Sequence, residues 1–330
     1  GPRAGSFGGM KAAQVTAYGE APKLIETEAP GEPGPYGDSV AGPAEIVEVL
    51  IAGINPVDLA IASGRFDAGA PPLPYTPGLE GIGRMADGEV VWFEGAHFPW
   101  GSMAERAVIT EGSGITLPPG IEPEQAIAFG TAGMAAWLST DWRGQLKDGE
   151  TVLVLGASGS VGQVAVQAAR MMGAGRVVGM ARSEAGRERV LALGADAAIA
   201  SDGSVEELKA RIFEATEGGQ DLVIDGLWGL PAAAALQTMK PHGRLVQVGN
   251  SAGTEAPIAA GPVRGAAAAI LGHRNFWPPR EVRVATFERM CSLAASGDLE
   301  LEVEVLPLDE VAEAWDRQFR SPGHKLALRP

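Results

Sequence analysis

The sequence predicts an α/β protein of two domains, one β-rich and one built on a doubly wound parallel sheet. Three observations carry this. The chain has 330 residues, more than one hydrophobic core usually organises. Between Thr151 and Gly249, apolar strand-like runs alternate with amphipathic helical runs, the pattern of a parallel sheet covered on both faces. Ahead of that stretch the chain shows short β-like runs broken by proline and glycine.

Taken in order, residues 1–9 are glycine-rich, lack an apolar centre and precede Met10, so they read as an expression remnant. From Met10 to about Leu117, β-like runs such as 44–51 and 89–93 imply a β-rich, irregular domain. Pro118-Pro119-Gly120 marks a turn, and residues 122–139 read as one helix, with Pro123 and the following acid placed at its start. Strands are expected at 151–155, 176–180, 221–225 and 244–248, with helices at 160–172, 184–193, 205–215 and 231–239. A helix near 280–296 and a β-like run at 299–306 complete the chain and return it towards the first domain.

The formal net charge of -15 argues against general attraction to nucleic acid or anionic membranes, because phosphate-rich surfaces repel it. No apolar run approaches the roughly 20 residues needed to span a bilayer. Cys291 is the single cysteine, which rules out an internal disulfide and a cysteine zinc cage; in its apolar helical run it reads as a buried structural thiol. A cytoplasmic protein is expected.

The chief motif is a strand, Thr-Val-Leu-Val-Leu, followed by Gly156-Ala157-Ser158-Gly159-Ser160-Val161-Gly162 and an apolar-periodic helix. Gly156 permits the turn, Gly159 lets a pyrophosphate approach the backbone, and Gly162 lets helix and strand pack. The helix N-terminus supplies free N–H donors, so Gly156, Ser158, Gly159, Ser160, Val161 and Gly162 are candidate dinucleotide contacts. The competing reading is a glycine-rich turn without a ligand. At the end of the next strand, where an NAD site usually carries an acid for the ribose, the chain has Ala181-Arg182-Ser183. Arg182 can pair with a 2′-phosphate, Ser183 can hydrogen-bond it and Arg187 can assist, which favours NADP(H). Solvated surface cations are the alternative, with Glu184 and Glu188 competing for either guanidinium. Leu227, Val248, Gly249, Asn250 and Ser251 follow later strands and are expected to meet the cofactor's riboses and nicotinamide through their main chain.

Several ordered segments together resemble the medium-chain dehydrogenase/reductase superfamily over nearly the whole chain: Gly53-Ile54-Asn55-Pro56-Val57-Asp58, Pro77-Gly78-Leu79-Glu80-Gly81-Ile82-Gly83 and Gly130-Thr131-Ala132-Gly133-Met134-Ala135-Ala136-Trp137, then the glycine loop, 243–249 and 323–328. The resemblance implies a GroES-like catalytic domain, residues 10–120 and 266–330, interrupted by a Rossmann cofactor domain at 121–265. Members of the zinc branch carry Gly-His-Glu where this chain has Gly78-Leu79-Glu80. Leucine cannot ligate zinc, no cysteine ligand is available, and His97, His242, His273 and His324 are scattered, so no metal is expected.

Asn-Pro-Val-Asp is similar to the pattern of zinc-free quinone oxidoreductases and enoyl reductases. By that match Asn55 faces the nicotinamide and substrate and donates to a substrate carbonyl or to the ribose, while Asp58 fixes the loop. An Asx turn before Pro56 is the structural alternative for Asn55. Thr131 matches a position near the nicotinamide, with helix packing as its alternative. Asn275 and Phe276 lie in a loop resembling one that flanks the cleft, and Trp100 and Trp277 are candidate pocket aromatics.

The resemblance implies hydride transfer from NADPH to a small electrophile, a quinone or the C=C of an enone, alkenal or enoyl compound, by a homodimer. Many relatives offer a tyrosine after the Asp58 position; here the chain reads Leu59-Ala60-Ile61-Ala62. Among Tyr18, Tyr36 and Tyr75, Tyr75 is the candidate proton donor on motif grounds, with solvent as the alternative. A non-catalytic NADPH sensor and a ketone or alcohol oxidoreductase remain as other readings.

Overall fold

The computed structural model describes residues 9–30, 43–66 and 68–330. Residues 1–8 of the expected remnant, and Tyr36, lie outside the described residues. The chain divides into two compact units: Gly1–Thr131 with Cys291–Asp298 and Glu302–Pro330, and Ala132–Met290 with Leu299–Leu301.

The first unit is β-rich. Gly9–Gln14 and Lys23–Glu28 form an antiparallel pair. A seven-stranded sheet runs in the order Val303–Pro307, Lys325–Arg329, Ala44–Gly53, Glu80–Arg84, Val90–Glu94, Ile115–Thr116, with Arg106–Thr110 also paired to Ala44–Gly53. Its core is apolar, with Val47, Val49, Ile54, Phe93, Met103, Ile109, Leu326 and Leu328 buried together. The outermost pair, Val303–Pro307 with Lys325–Arg329, is parallel and so needs a crossover. Helix Val311–Phe319 makes it and buries Val311, Ala314 and Trp315. Sequence reading gave neither this helix nor strand Lys325–Arg329.

The second unit holds six parallel strands in the order Ala197–Ala200, Arg176–Ala181, Thr151–Leu155, Gln220–Asp225, Met239–Gln247, Ala269–Gly272. Counted within the unit this is 3-2-1-4-5-6, the order of a dinucleotide-binding sheet, and it reverses beside Thr151–Leu155, where such sheets take their ligand. All five residues of that strand are buried. Ser183 and Ser204 cap the helices Glu184–Ala192 and Val205–Ala215, accepting from Gly186 N at 3.1 Å and Glu207 N at 3.3 Å.

Two expectations change. The helix expected over 122–139 is broken into Pro123–Ala126, a 3-10 turn Ile127–Phe129 and Thr131–Leu138. The cause is Glu80: its Oε2 takes the Thr131 N–H at 2.7 Å, so a new helix starts on a carboxylate rather than continuing the old one. The domain boundary expected at 265 also moves. Strand Ala269–Gly272 pairs with Met239–Gln247 and the second unit runs on to Met290. That strand is a short, four-residue sheet edge with alternating exposure, set in an alanine-rich apolar run that carries no strand period of its own. Cys291 is buried. No helix among the described residues is long and apolar enough to cross a membrane.

Candidate active site

In the first unit, four of the six segments that carry the family resemblance converge on one carboxylate. Glu80, fully buried at the start of its strand, accepts four hydrogen bonds. Oε1 takes Asn55 Nδ2 at 2.8 Å and the Lys325 ammonium; Oε2 takes Thr131 N at 2.7 Å and Trp92 Nε1 at 3.1 Å. Lys325 Nζ also donates to Asn55 Oδ1 at 2.6 Å. A Cβ at Gly53 or Gly130 would overlap the Glu80 carboxylate, which explains the glycine in both motifs. Burial pushes the Glu80 carboxyl up, but the Lys325 charge, with hydrogen bonds from Lys325, Thr131 and Asn55, outweighs it and holds the group below the usual carboxylate range.

Asn55 is therefore held inside this hub, its carbonyl on an ammonium and its amino group on a carboxylate, while it also caps the helix Pro56–Ala62 in a capping box with Asp58. Sequence reading named Asn55 and Thr131 but missed Glu80 and Lys325 as their partners. The available signal was the pair of glycines flanking a space that a buried side chain must fill. Asp58 fixes the loop as expected: Oδ2 accepts from Asn55 N at 2.9 Å and Oδ1 from Leu79 N at 3.0 Å. Burial raises its carboxyl to about 7, offset in part by those two N–H donors. Leu79 stands beside this hub without a metal-binding atom. Among the described residues, no group of three or more His, Cys, Asp and Glu side chains has a metal-holding arrangement.

Tyr75 does not suit the role proposed for it. Its ring is packed edge-on against Phe98, with centroids 5.0 Å apart, and its hydroxyl is buried without a hydrogen-bond partner among the described residues. Burial, with the nearby Asp58 charge, drives its pKa up, away from that of a useful acid at neutral pH.

The second unit carries the glycine loop. Gly156 has φ +78°, a conformation that favours glycine, and the Leu227 side chain lies over it. Gly159 precedes the helix Ser160–Met171, and the first-turn N–H groups of Ser160, Val161 and Gly162 have no intrahelical acceptor. A Cβ at Gly162 would come within 2.5 Å of Ala157 Cα, so only glycine lets this helix lie on the loop. A Cβ at Gly186 would approach both Ser158 Cβ, at 2.9 Å, and Ser183 Oγ, at 3.0 Å. The next helix thus starts beside the loop, which gathers Ser158, Ser183 and the exposed Arg182. Arg187 folds back, donating to the carbonyls of Ala181 and Arg182 at 3.3 and 3.1 Å. Loop, hydroxyls and a guanidinium exposed to solvent form a set suited to phosphate.

The two later loops clasp each other. Asp225 Oδ1 accepts the N–H of Leu227 at 2.9 Å and of Trp228 at 2.8 Å, and burial raises its carboxyl to about 6. Val248 N and Gly249 N both donate to Asp225 O, Ser251 N and Oγ to Gly226 O, and Ala252 N to Leu227 O. The Leu227 N–H and C=O are thus engaged within the two loops and its side chain lies over Gly156, while Asn250 is exposed. In the loop 272–276, Asn275 is buried and Phe276 is 54% exposed. Of the aromatics, Trp100 is half-buried and Trp277 is 71% exposed.

The family described as zinc-binding dehydrogenase matches residues 160–278. The chain is 29% identical over 330 residues to the quinone oxidoreductase of Pseudomonas aeruginosa, covering 92% of this chain and 94% of that protein. It is 27% identical over 282 residues to prostaglandin reductase-3 of Mus musculus, covering 79% of this chain and 71% of that one. Its fold matches the quinone oxidoreductase from Thermus thermophilus, a structure also determined as a complex with NADPH. There the TM-score is 0.74 and the identity 29%, over 97% of this chain and 100% of that one. The two units are thus a GroES-like and a Rossmann fold. Fold, motifs and these similarities support the medium-chain dehydrogenase/reductase superfamily, in its zinc-independent branch of quinone oxidoreductases and enoyl reductases, as the family of this chain.

Proposed function

We propose that the protein is an NADPH-dependent, zinc-free reductase of quinones or of the C=C bond of α,β-unsaturated carbonyl compounds. The observation that carries the cofactor choice is the cluster of Ser158, Arg182 and Ser183 at the glycine loop, with arginine in place of the ribose-binding acid. The reaction class is supported by the quinone oxidoreductase and prostaglandin reductase relatives.

In this reading NADPH, when bound, supplies the hydride. The first-turn N–H groups from Ser160 to Gly162 hold the pyrophosphate, Arg182 and Ser183 take the 2′-phosphate, and Leu227 covers the loop. The Asn55 amide meets the substrate oxygen as charge gathers on it, the task a Lewis acid performs in the zinc branch. With Tyr75 so weak an acid, solvent supplies the proton. Asn250, Asn275 and Phe276 are proposed as secondary cofactor contacts. We also infer a homodimer that works in the cytoplasm. The edge strand Ala269–Gly272, with exposed Ile270 and Trp277, supports the pairing, and a single buried cysteine suits a reducing compartment.

The test is the initial rate of NADPH and of NADH oxidation against a quinone, a 2-alkenal, a cyclic enone and a simple ketone. Turnover is expected with NADPH on the conjugated acceptors. Arg182→Ala should weaken NADPH about tenfold or more while leaving NADH unchanged, the loss of one charge-assisted hydrogen bond. A preference for NADH would overturn the assignment of Arg182. Tight NADPH binding with silence across the panel would favour a non-catalytic sensor, and turnover of the ketone alone would favour a carbonyl reductase.

A further inference from the structure

We propose that Lys325 and Glu80 are positioning residues of the reductase: together they lock the Asn55 amide in the one orientation that leaves an N–H group for the substrate oxygen. The proposal rests on the reductase reading above and adds two residues to it.

Lys325 is 1% exposed, Glu80 fully buried and Asn55 4% exposed. The three close a triangle: ammonium to Asn55 Oδ1, ammonium to Glu80 Oε1, and Asn55 Nδ2 to the same Oε1. An amide normally turns over at little cost, because its oxygen and nitrogen ends are alike in shape. Here a turn would set the amino group against an ammonium and the carbonyl against a carboxylate, in a setting where water screens neither repulsion. The orientation is fixed by charge.

Two consequences follow for the amide's chemistry. Asn55 Nδ2 carries two hydrogens, and Glu80 accepts one, so the second remains as a donor. The ammonium on Oδ1 draws electron density from the amide and strengthens that remaining N–H. Stability alone does not explain such a pair, since well-packed apolar residues commonly stabilise a core as well as a buried ion pair does. Nor is Glu80 left short of donors, for Trp92 and the Thr131 N–H complete its shell and Gly53 and Gly130 make room for it. The arrangement is completed by a residue 270 positions from Asn55 in sequence.

The test replaces the pair as a unit, Lys325→Met with Glu80→Gln, so that no buried charge is left alone. Stopped-flow hydride transfer is compared in this variant, in Asn55→Ala and in the combination, alongside KM for the acceptor, NADPH affinity and melting temperature. The pair variant should lose about 10- to 100-fold in kcat with NADPH affinity retained. The combination should be no slower than Asn55→Ala alone, because the pair acts only through Asn55. An undiminished kcat in the pair variant, or losses that multiply in the combination, overturns the proposal. Should the pair variant fail to fold, the wild-type protein still decides. The chain has three asparagines, so their 15N-labelled side-chain amides are resolvable. Adding a saturated ketone product to the NADP-loaded protein should shift one Asn55 amide proton and leave its Glu80-bonded partner in place; two unmoved protons overturn the role. A wild type silent on every acceptor overturns the reductase reading and this role with it, whereas an active wild type with an equally active pair variant overturns this role alone.

Discussion

Asp58 shows how far burial reaches at the level of one residue. Its folded carboxyl titrates at about 7 against an ordinary 3.8, because two backbone N–H donors do not make up for the water it has lost. Between those two values the folded protein holds a proton that the unfolded chain has released, so stability falls as pH rises through this window and levels off above it. The slope is about 1.4 kcal/mol per pH unit, which makes the effect roughly a few kcal/mol in all. Urea unfolding of wild type and Asp58→Asn from pH 5 to 8 checks this: the wild-type advantage should shrink as pH climbs to about 7. A constant difference would show that Asp58 ionises as freely in the fold as outside it. At this scale Asn55 and Asp58 were legible because a motif displays them. Their partners were not, since nothing local to Glu80 or Lys325 says that either is buried. Tyr75 was chosen among the three tyrosines on motif grounds, and only the structure shows its hydroxyl enclosed.

Among the elements, the parallel strands were legible because full burial writes them as unbroken apolar runs, Thr151–Leu155 above all. The break after Phe129 was not, because the carboxylate that causes it lies 51 residues away. The glycine loop was legible to the residue, and its geometry can be tested at Gly162. A methyl there would press on Ala157 Cα and the Gly156 carbonyl, both backbone atoms that cannot swing aside. Gly162→Ala should destabilise the protein by about 1–3 kcal/mol and abolish tight NADPH binding, read by melting and by fluorescence titration. Gly261→Ala, where a Cβ meets nothing within 4 Å, is the control and should change neither. Normal binding in Gly162→Ala would mean that the loop tolerates a wider angle to its helix.

For the whole molecule, the two-domain plan was legible from the change in periodicity near Thr151, whereas the return point was not, because the edge strand Ala269–Gly272 is too short to read. That strand carries the dimer prediction. Light scattering should give twice the 34.0 kDa chain mass, and Ile270→Lys should halve it while NADPH binding persists. A monomeric wild type would place no second copy on this edge. The sheet of the other unit bears on how the chain is made. Strand Lys325–Arg329 lies between Val303–Pro307 and Ala44–Gly53, and its lysine closes the Asn55 triangle. During synthesis the Rossmann unit has nearly all its strands and helices once Met290 has emerged. The N-terminal part of the first unit must then wait, its sheet open beside Ala52 and Gly53 and its Glu80 without a counter-ion, until Lys325–Arg329 has been translated. Of the two units, the one begun earlier along this chain is therefore finished later.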